Sequence, residues 1–147
     1  FDMIEVKIIN ESNNDTPALA TKGSAGVDVR AFISSPITLK PLERKLIPTG
    51  LKLEIPLGYE IQIRPRSGLA YNNGITVLNS PGTIDSDYRG EIGVLLVNLS
   101  NEPFEILSGA RIAQMVLAKH ELPHFTEKNS LASSERGVGG FGSTGKK

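Results

Sequence analysis

Residues 44–55 read RKLIPTGLKLEI, and within them Leu51, Leu53 and Ile55 alternate with Lys52 and Glu54. A period of two marks a strand with one face buried, whereas a helix would repeat every three to four residues. The same kind of run recurs as MIEVKII (3–9), YEIQIRP (59–65), EIGVLLVN (91–98) and RIAQMVLA (111–118). Pro or Gly punctuates the chain at 36, 41, 48, 50, 56, 58, 81–82, 90, 103 and 109. Short strands spaced this closely, with turn residues between them, predict an all-β sandwich or barrel. The one helix candidate is SGLAYNNG (67–74), stopped by Asn-Asn-Gly. Near Thr126 the alternation gives way to Ser, Gly and Lys. The expected division is therefore a β core over 1–125 and a flexible glycine-rich arm over 126–147.

A chain of 147 residues is one domain's worth, enough to bury about 68–70% of its unfolded surface without staples. There is no cysteine, which excludes disulfides and thiolate metal sites. No run of about 18 apolar residues exists to cross a membrane as a helix. The first residues lack a basic-then-apolar export pattern, which predicts a cytoplasmic, reducing compartment. Sixteen basic residues balance sixteen acidic ones. A neutral chain lacks the broad positive field that holds long nucleic acids. From Lys128 onward, however, Lys128, Arg136, Lys146 and Lys147 face only Glu135. That local charge on a glycine-rich arm suits a small polyanion.

Two motifs invite readings that their context rejects. Gly140–Lys146 fits G-x-x-x-x-G-K, but Lys147 stands where a P-loop needs Ser or Thr for its metal, and no strand pattern precedes the loop. Its capacity to bind anions remains, because glycines let successive N–H groups turn inward while Ser143, Thr144 and the lysines add donors. HELPH (120–124) matches H-E-x-x-H, yet Pro123 breaks the helix that would bring both imidazoles onto one face.

NSPGTIDSDYRGE (79–91) concentrates the chemistry. Pro81 and Gly82 set a tight turn, so Thr76–Asn79 and Thr83–Asp85 are predicted to face each other as a hairpin. The tip of such a hairpin presents backbone donors and acceptors to a flat partner such as a base. In extended backbone Asp85 and Asp87 would point the same way, and a carboxylate there could deprotonate a water. For that pair alone, a simple turn is the better reading. RPRSGLAYNNG (64–74) sets Arg66, Ser67 and Gly68 at a helix start, where a guanidinium fork and free N–H groups suit phosphate. Read alone, it is equally a Ser-capped helix with surface arginines. Asp28 lies inside an apolar strand and needs a partner or a hydrated metal. Gln114 sits among apolar neighbours, as a satisfied amide or as a ligand contact.

In order, SAGVDVRA (24–31), RPRSGLAYNNG, NSPGTIDSDYRGE, GARIAQMVLAK (109–119) and ERGVGGFGSTGKK (135–147) resemble the five motifs of the trimeric dUTP pyrophosphatases, the dUTPases. The resemblance runs from about residue 24 to the last and implies a jelly-roll homotrimer with sites between subunits. It implies hydrolysis of dUTP to dUMP and pyrophosphate, which keeps uracil out of DNA and supplies dUMP for dTMP synthesis. Asp85 would activate the water that attacks the α-phosphorus. Mg²⁺ would be held by the phosphates and waters, with Asp28 as an outer carboxylate. Arg66, Ser67, Gly68 and Gln114 would line the phosphates, while Asn79, Gly82, Thr83 and Ile84 would read uracil. Tyr88 would pack on the deoxyribose. The arm would close over the site of another subunit, with Arg136, Gly142, Ser143 and Thr144 on the γ-phosphate and Phe141 stacked on the base. A dCTP deaminase of the same fold and a non-catalytic nucleotide-binding trimer are the alternatives.

Overall fold

A computed structural model describes residues 2–145. Lys146 and Lys147, assigned above to anion binding, lie outside the described residues. Among the described residues, ten strands and one helix follow each other. They are β1 (Lys7–Asn10), β2 (Gly26–Arg30), β3 (Ile37–Leu39), β4 (Arg44–Glu54), β5 (Tyr59–Arg64), α1 (Ser67–Asn73), β6 (Ile75–Val77), β7 (Gly82–Ile84), β8 (Glu91–Asn98), β9 (Phe104–Ile106) and β10 (Arg111–Lys119). Every pairing is antiparallel. One four-stranded sheet has the order β1-β4-β8-β6, a second has β2-β10-β5-β7, and β3-β9 form a ribbon. Two such sheets around one apolar core make a jelly-roll sandwich. Among the described residues no helix is long and apolar enough to cross a membrane.

The alternation seen in the sequence becomes burial. In β4, Leu51 and Leu53 are buried, while in β8 Ile92, Val94 and Leu96 close the same core. β1 is shorter than the run 3–9 suggested. Its Lys7 faces Glu54, the last residue of β4, so earlier residues have no strand beside them. The β4–β8 register shifts between Pro48 and Lys52. Gly50 there takes φ +71°, and a Cβ would meet the Ser12 nitrogen at 2.9 Å. A bulge accommodates both the proline that cannot donate and the left-handed glycine. Thr49 Oγ1, buried, donates to the Ile92 carbonyl at 2.6 Å and accepts from Leu51 N at 3.2 Å, which staples the bulge to β8.

The predicted hairpin over 76–85 does not form. β6 pairs with β8 and β7 pairs with β5, so Asn79–Pro81 carries the chain from the edge of one sheet to the edge of the other. Burial decides this: Ile75 and Val77 fill the core beside β8, and Gly82 packs against Ile63 on β5. Pairing β6 with β7 would strip both sheets of an edge strand.

Candidate active site

β7 delivers the main candidate. Ile84 faces Ile61, and the strand ends there, leaving Asp85 exposed at the rim. Ser86 and Asp87 form a turn, closed by Tyr88 N donating to the Asp85 carbonyl at 3.2 Å. Asp87 therefore does not continue an extended backbone beside Asp85, and the turn reading of the pair holds. Tyr88 Oη donates to the Glu91 carbonyl at 2.9 Å. A Cβ on Gly90 would run into the Tyr88 hydroxyl and lie 2.6 Å from the ring's Cζ, so the ring stands directly against Gly90. Held at both ends, Tyr88 is a fixed, 45% exposed wall.

Thr83, Ile84, Asp85, Tyr88 and Glu91 line a cleft of about 580 Å³ together with Leu46, Pro48 and Gly93. Leu46 is 66% exposed and lies flat on Gly93, where a Cβ would meet its Cδ1 at 2.8 Å. The sequence reading missed Leu46, Pro48, Glu91 and Gly93. A glycine inside the strand EIGVLLVN was the available signal, since it permits close approach to backbone. Asn79 is exposed, with its amide nitrogen 3.3 Å from the place of a Gly82 Cβ, so side chain and glycine nest at the crossing between sheets.

A second cluster gathers elsewhere. Arg66 Nε donates to Asp28 Oδ1 at 3.2 Å, and Arg111 sets its guanidinium 3.5 Å from Oδ2. Arg66 also reaches the Arg111 carbonyl at 3.4 Å. The partners that Asp28 needed are thus two arginines, one of which, Arg111, the sequence reading had not singled out. Gln114 on β10 faces Asp28 on β2 and donates from Nε2 to the Pro65 carbonyl at 3.0 Å, which tethers the loop before Arg66. Arg66, not Ser67, occupies the N-cap of α1, and no side chain caps the helix. This corrects the Ser-capped alternative. Ser67 and Gly68 are exposed, and nothing lies within 4 Å of a Cβ placed on Gly68.

The two clusters do not meet within one chain. Asp85 follows Ile84, which faces Ile61 near one end of β5, whereas Arg66 lies beyond its other end. Six residues of extended backbone separate them by roughly 20 Å. That distance exceeds the length of a triphosphate chain.

The arm is a third body of candidates. β10 ends at Lys119, and His120 and His124 lie on irregular chain, not on a helix. Among the described residues, no hydrogen bond joins 121–145 to the strands. Arg136 Nε donates to the Gly139 carbonyl at 2.8 Å, and Ser143 N to that of Gly140 at 3.1 Å. Phe141 is fully exposed with φ +51°, beside Gly142 at φ +82° and an exposed Thr144. Among the described residues, no group of three His, Asp or Glu could cage a metal. Asp28 is the carboxylate paired with Arg66 and Arg111.

The chain was compared with known proteins. The family model described as dUTPase matches residues 12–145. A deoxyuridine 5'-triphosphate nucleotidohydrolase from Cytophaga hutchinsonii is 63% identical over 141 residues, covering 96% of this chain and 92% of the relative. One from Fusobacterium nucleatum is 59% identical over 143 residues, covering 97% and 98%. Among solved structures, the dUTPase of Staphylococcus bacteriophage 80alpha with dUPNHPP superimposes with TM-score 0.88 at 25% identity, covering 98% of this chain and all of that one. The dUTPase of S. aureus phage phi11, described with a structural Mg(II) ion, shares the fold at TM-score 0.80 and 20% identity, covering 88% and 100%. With its family model spanning most of the chain and relatives near 60% identity over more than nine-tenths of their lengths, this chain belongs to the dUTPase family.

Proposed function

We propose that this chain hydrolyses dUTP to dUMP and pyrophosphate by attack of water on the α-phosphorus. The observation that carries the reading is the Asp85 cleft. A free carboxylate stands at the mouth of a slot walled by a fixed tyrosine and by strand backbone. Asp85 takes a proton from water as its oxygen bonds to the α-phosphorus. The bond from that phosphorus to the bridging oxygen breaks, and pyrophosphate leaves. A positioned general base is worth about 10²–10⁴-fold in rate.

Asn79 with the backbone of Gly82, Thr83 and Ile84 reads the uracil edge. Tyr88 packs on the deoxyribose, and a 2′-hydroxyl pressed against it would be buried without a partner. Arg66, Ser67, Gly68 and Gln114 take the phosphate chain. The span between Arg66 and Asp85 supports a site shared between subunits, and hence the homotrimer. The arm, residues 126–147, closes from a further subunit, with Arg136, Gly142, Ser143 and Thr144 on the γ-phosphate and Phe141 on the base. Among the described residues, the lack of hydrogen bonds from the arm to its own strands supports that role. Asp28 fits an outer carboxylate for Mg²⁺, because each oxygen meets a single arginine and keeps lone pairs for a bound water. Magnesium, when bound, neutralises charge on the phosphates. We place the reaction in the cytoplasm.

The deciding assay is pyrophosphate release from dUTP, UTP, dTTP and dCTP side by side with Mg²⁺. The expected result is release from dUTP alone at appreciable rate. Ammonia from dCTP would instead mark a deaminase, and inert dUTP would overturn the reading.

A further inference from the structure

We propose that Gly26 is a positioning residue, which sets the Gln114 amide and through it the phosphate-binding loop; this rests on the reading of the chain as a dUTP hydrolase. Gly26 opens β2 opposite Val116, and two residues on, Asp28 faces Gln114. Residues two apart on a strand share a face, so Gly26 and Asp28 flank the same glutamine. A Cβ at position 26 would lie 2.3 Å from Gln114 Oε1, 3.2 Å from its Cδ and 3.4 Å from its Cβ. All three nearest atoms belong to that one side chain.

The contrast with Gly50 shows what kind of requirement this is. At Gly50 the backbone is left-handed and a Cβ would press on the Ser12 nitrogen, so the demand is architectural. At Gly26 no backbone atom is crowded at that range; only the end of a flexible side chain is in the way. An alanine would fit there once the carboxamide moved aside. Glycine at 26 thus reserves a seat for the Gln114 carboxamide.

From that seat Gln114 Nε2 donates to the Pro65 carbonyl at 3.0 Å, one residue before Arg66. Arg66 in turn donates to Asp28 at 3.2 Å. β2 therefore holds the phosphate loop at two points, through the carboxylate of Asp28 and through the vacancy at Gly26. Displacing the amide releases Pro65 and leaves Arg66 held from one side.

The test compares Gly26→Ala, Gln114→Ala and the double variant. Gly26→Ala should melt within about 5 °C of wild type, because the group displaced is the end of the Gln114 side chain and not a core side chain. Its kcat/KM for dUTP should fall between about tenfold and hundredfold, most of it in KM, since the loop binds phosphate and performs no bond-breaking. The double variant should be no worse than Gln114→Ala, because the group through which residue 26 acts is already gone. Wild-type kinetics in Gly26→Ala, or losses that multiply in the double, would overturn the proposal. A second readout is independent of turnover. The Gln114 side-chain amide pair, identified as the proton–nitrogen peaks that vanish in Gln114→Ala, should shift in Gly26→Ala. Unmoved peaks would overturn the coupling. If wild type itself leaves dUTP intact, the functional reading falls, and these peaks still decide whether Gly26 seats the amide.

Discussion

Asp85 and Arg66 sit at opposite ends of one sheet: the aspartate follows Ile84, which faces Ile61 on β5, and the arginine follows the far end of that same strand. Neither residue can swing across roughly 20 Å of rigid ladder. If both serve one nucleotide, they come from different protomers. Subunits carrying Asp85→Asn and subunits carrying Arg66→Ala, each inactive alone, should then regain activity when co-assembled. With random mixing into a symmetric trimer, about a quarter of sites would carry both native residues. A mixture that stays inert after verified subunit exchange would place both residues in one chain's site.

Asp85→Asn on its own keeps the size and the backbone turn, because Tyr88 bonds the carbonyl of residue 85 and not its side chain. We expect kcat to fall by at least about 10²-fold, with melting temperature and affinity for a non-hydrolysable dUTP analogue little changed. Calorimetric binding beside steady-state rates separates the two.

Removal of residues 135–147 should leave a folded protein, since no hydrogen bond of that stretch reaches the strands among the described residues. Turnover should drop steeply, because a closing segment excludes water and completes the charge on the phosphates. Phe141→Ala should give a milder loss with an unchanged melting curve, as its ring is fully exposed. Full activity in the truncated protein would remove the arm from the mechanism.

Gly93→Ala would push against Leu46 Cδ1, which stands 2.8 Å from the new methyl. Leu46 is mostly exposed and can yield cheaply, so stability should hold. Its displacement and the added methyl narrow the cleft they both line. We expect KM for dUTP to rise about tenfold, the cost of roughly 1.4 kcal/mol in binding, with a smaller change in kcat.

Asn98→Ala tests the scaffold. The fully buried Asn98 side chain donates to the carbonyls of Leu39 and Glu102 and accepts from both the backbone and hydroxyl of Ser100. Loss of those bonds takes the buried partner from the Leu39 carbonyl and unbraces the turn at Ser100, at about 3 kcal/mol. Denaturation at fixed protein concentration measures it, and the fixed concentration matters if assembly contributes.

Much of this protein could be read directly from its residues. Alternation in 44–55 specifies a strand with one wet face, because side chains leave a strand on alternate sides, while the nearly unbroken apolar runs in 91–98 and 111–118 specify strands buried on both faces. The end of helix α1 at Gly74 was equally plain, since Asn-Asn-Gly supplies the left-handed cap, with φ +66°. Position along the chain, however, carries no information about which strands become neighbours. β6 and β7 are separated by only a short turn, yet they joined different sheets, because burying Val77 beside β8 and seating Gly82 on Ile63 outweighed a local hairpin. The same folding brought Leu46 and Gly93 into the Asp85 cleft and drew Arg111 to Asp28. Local propensity acts between residues that are close in the chain; a site is made by residues that packing brings close in space.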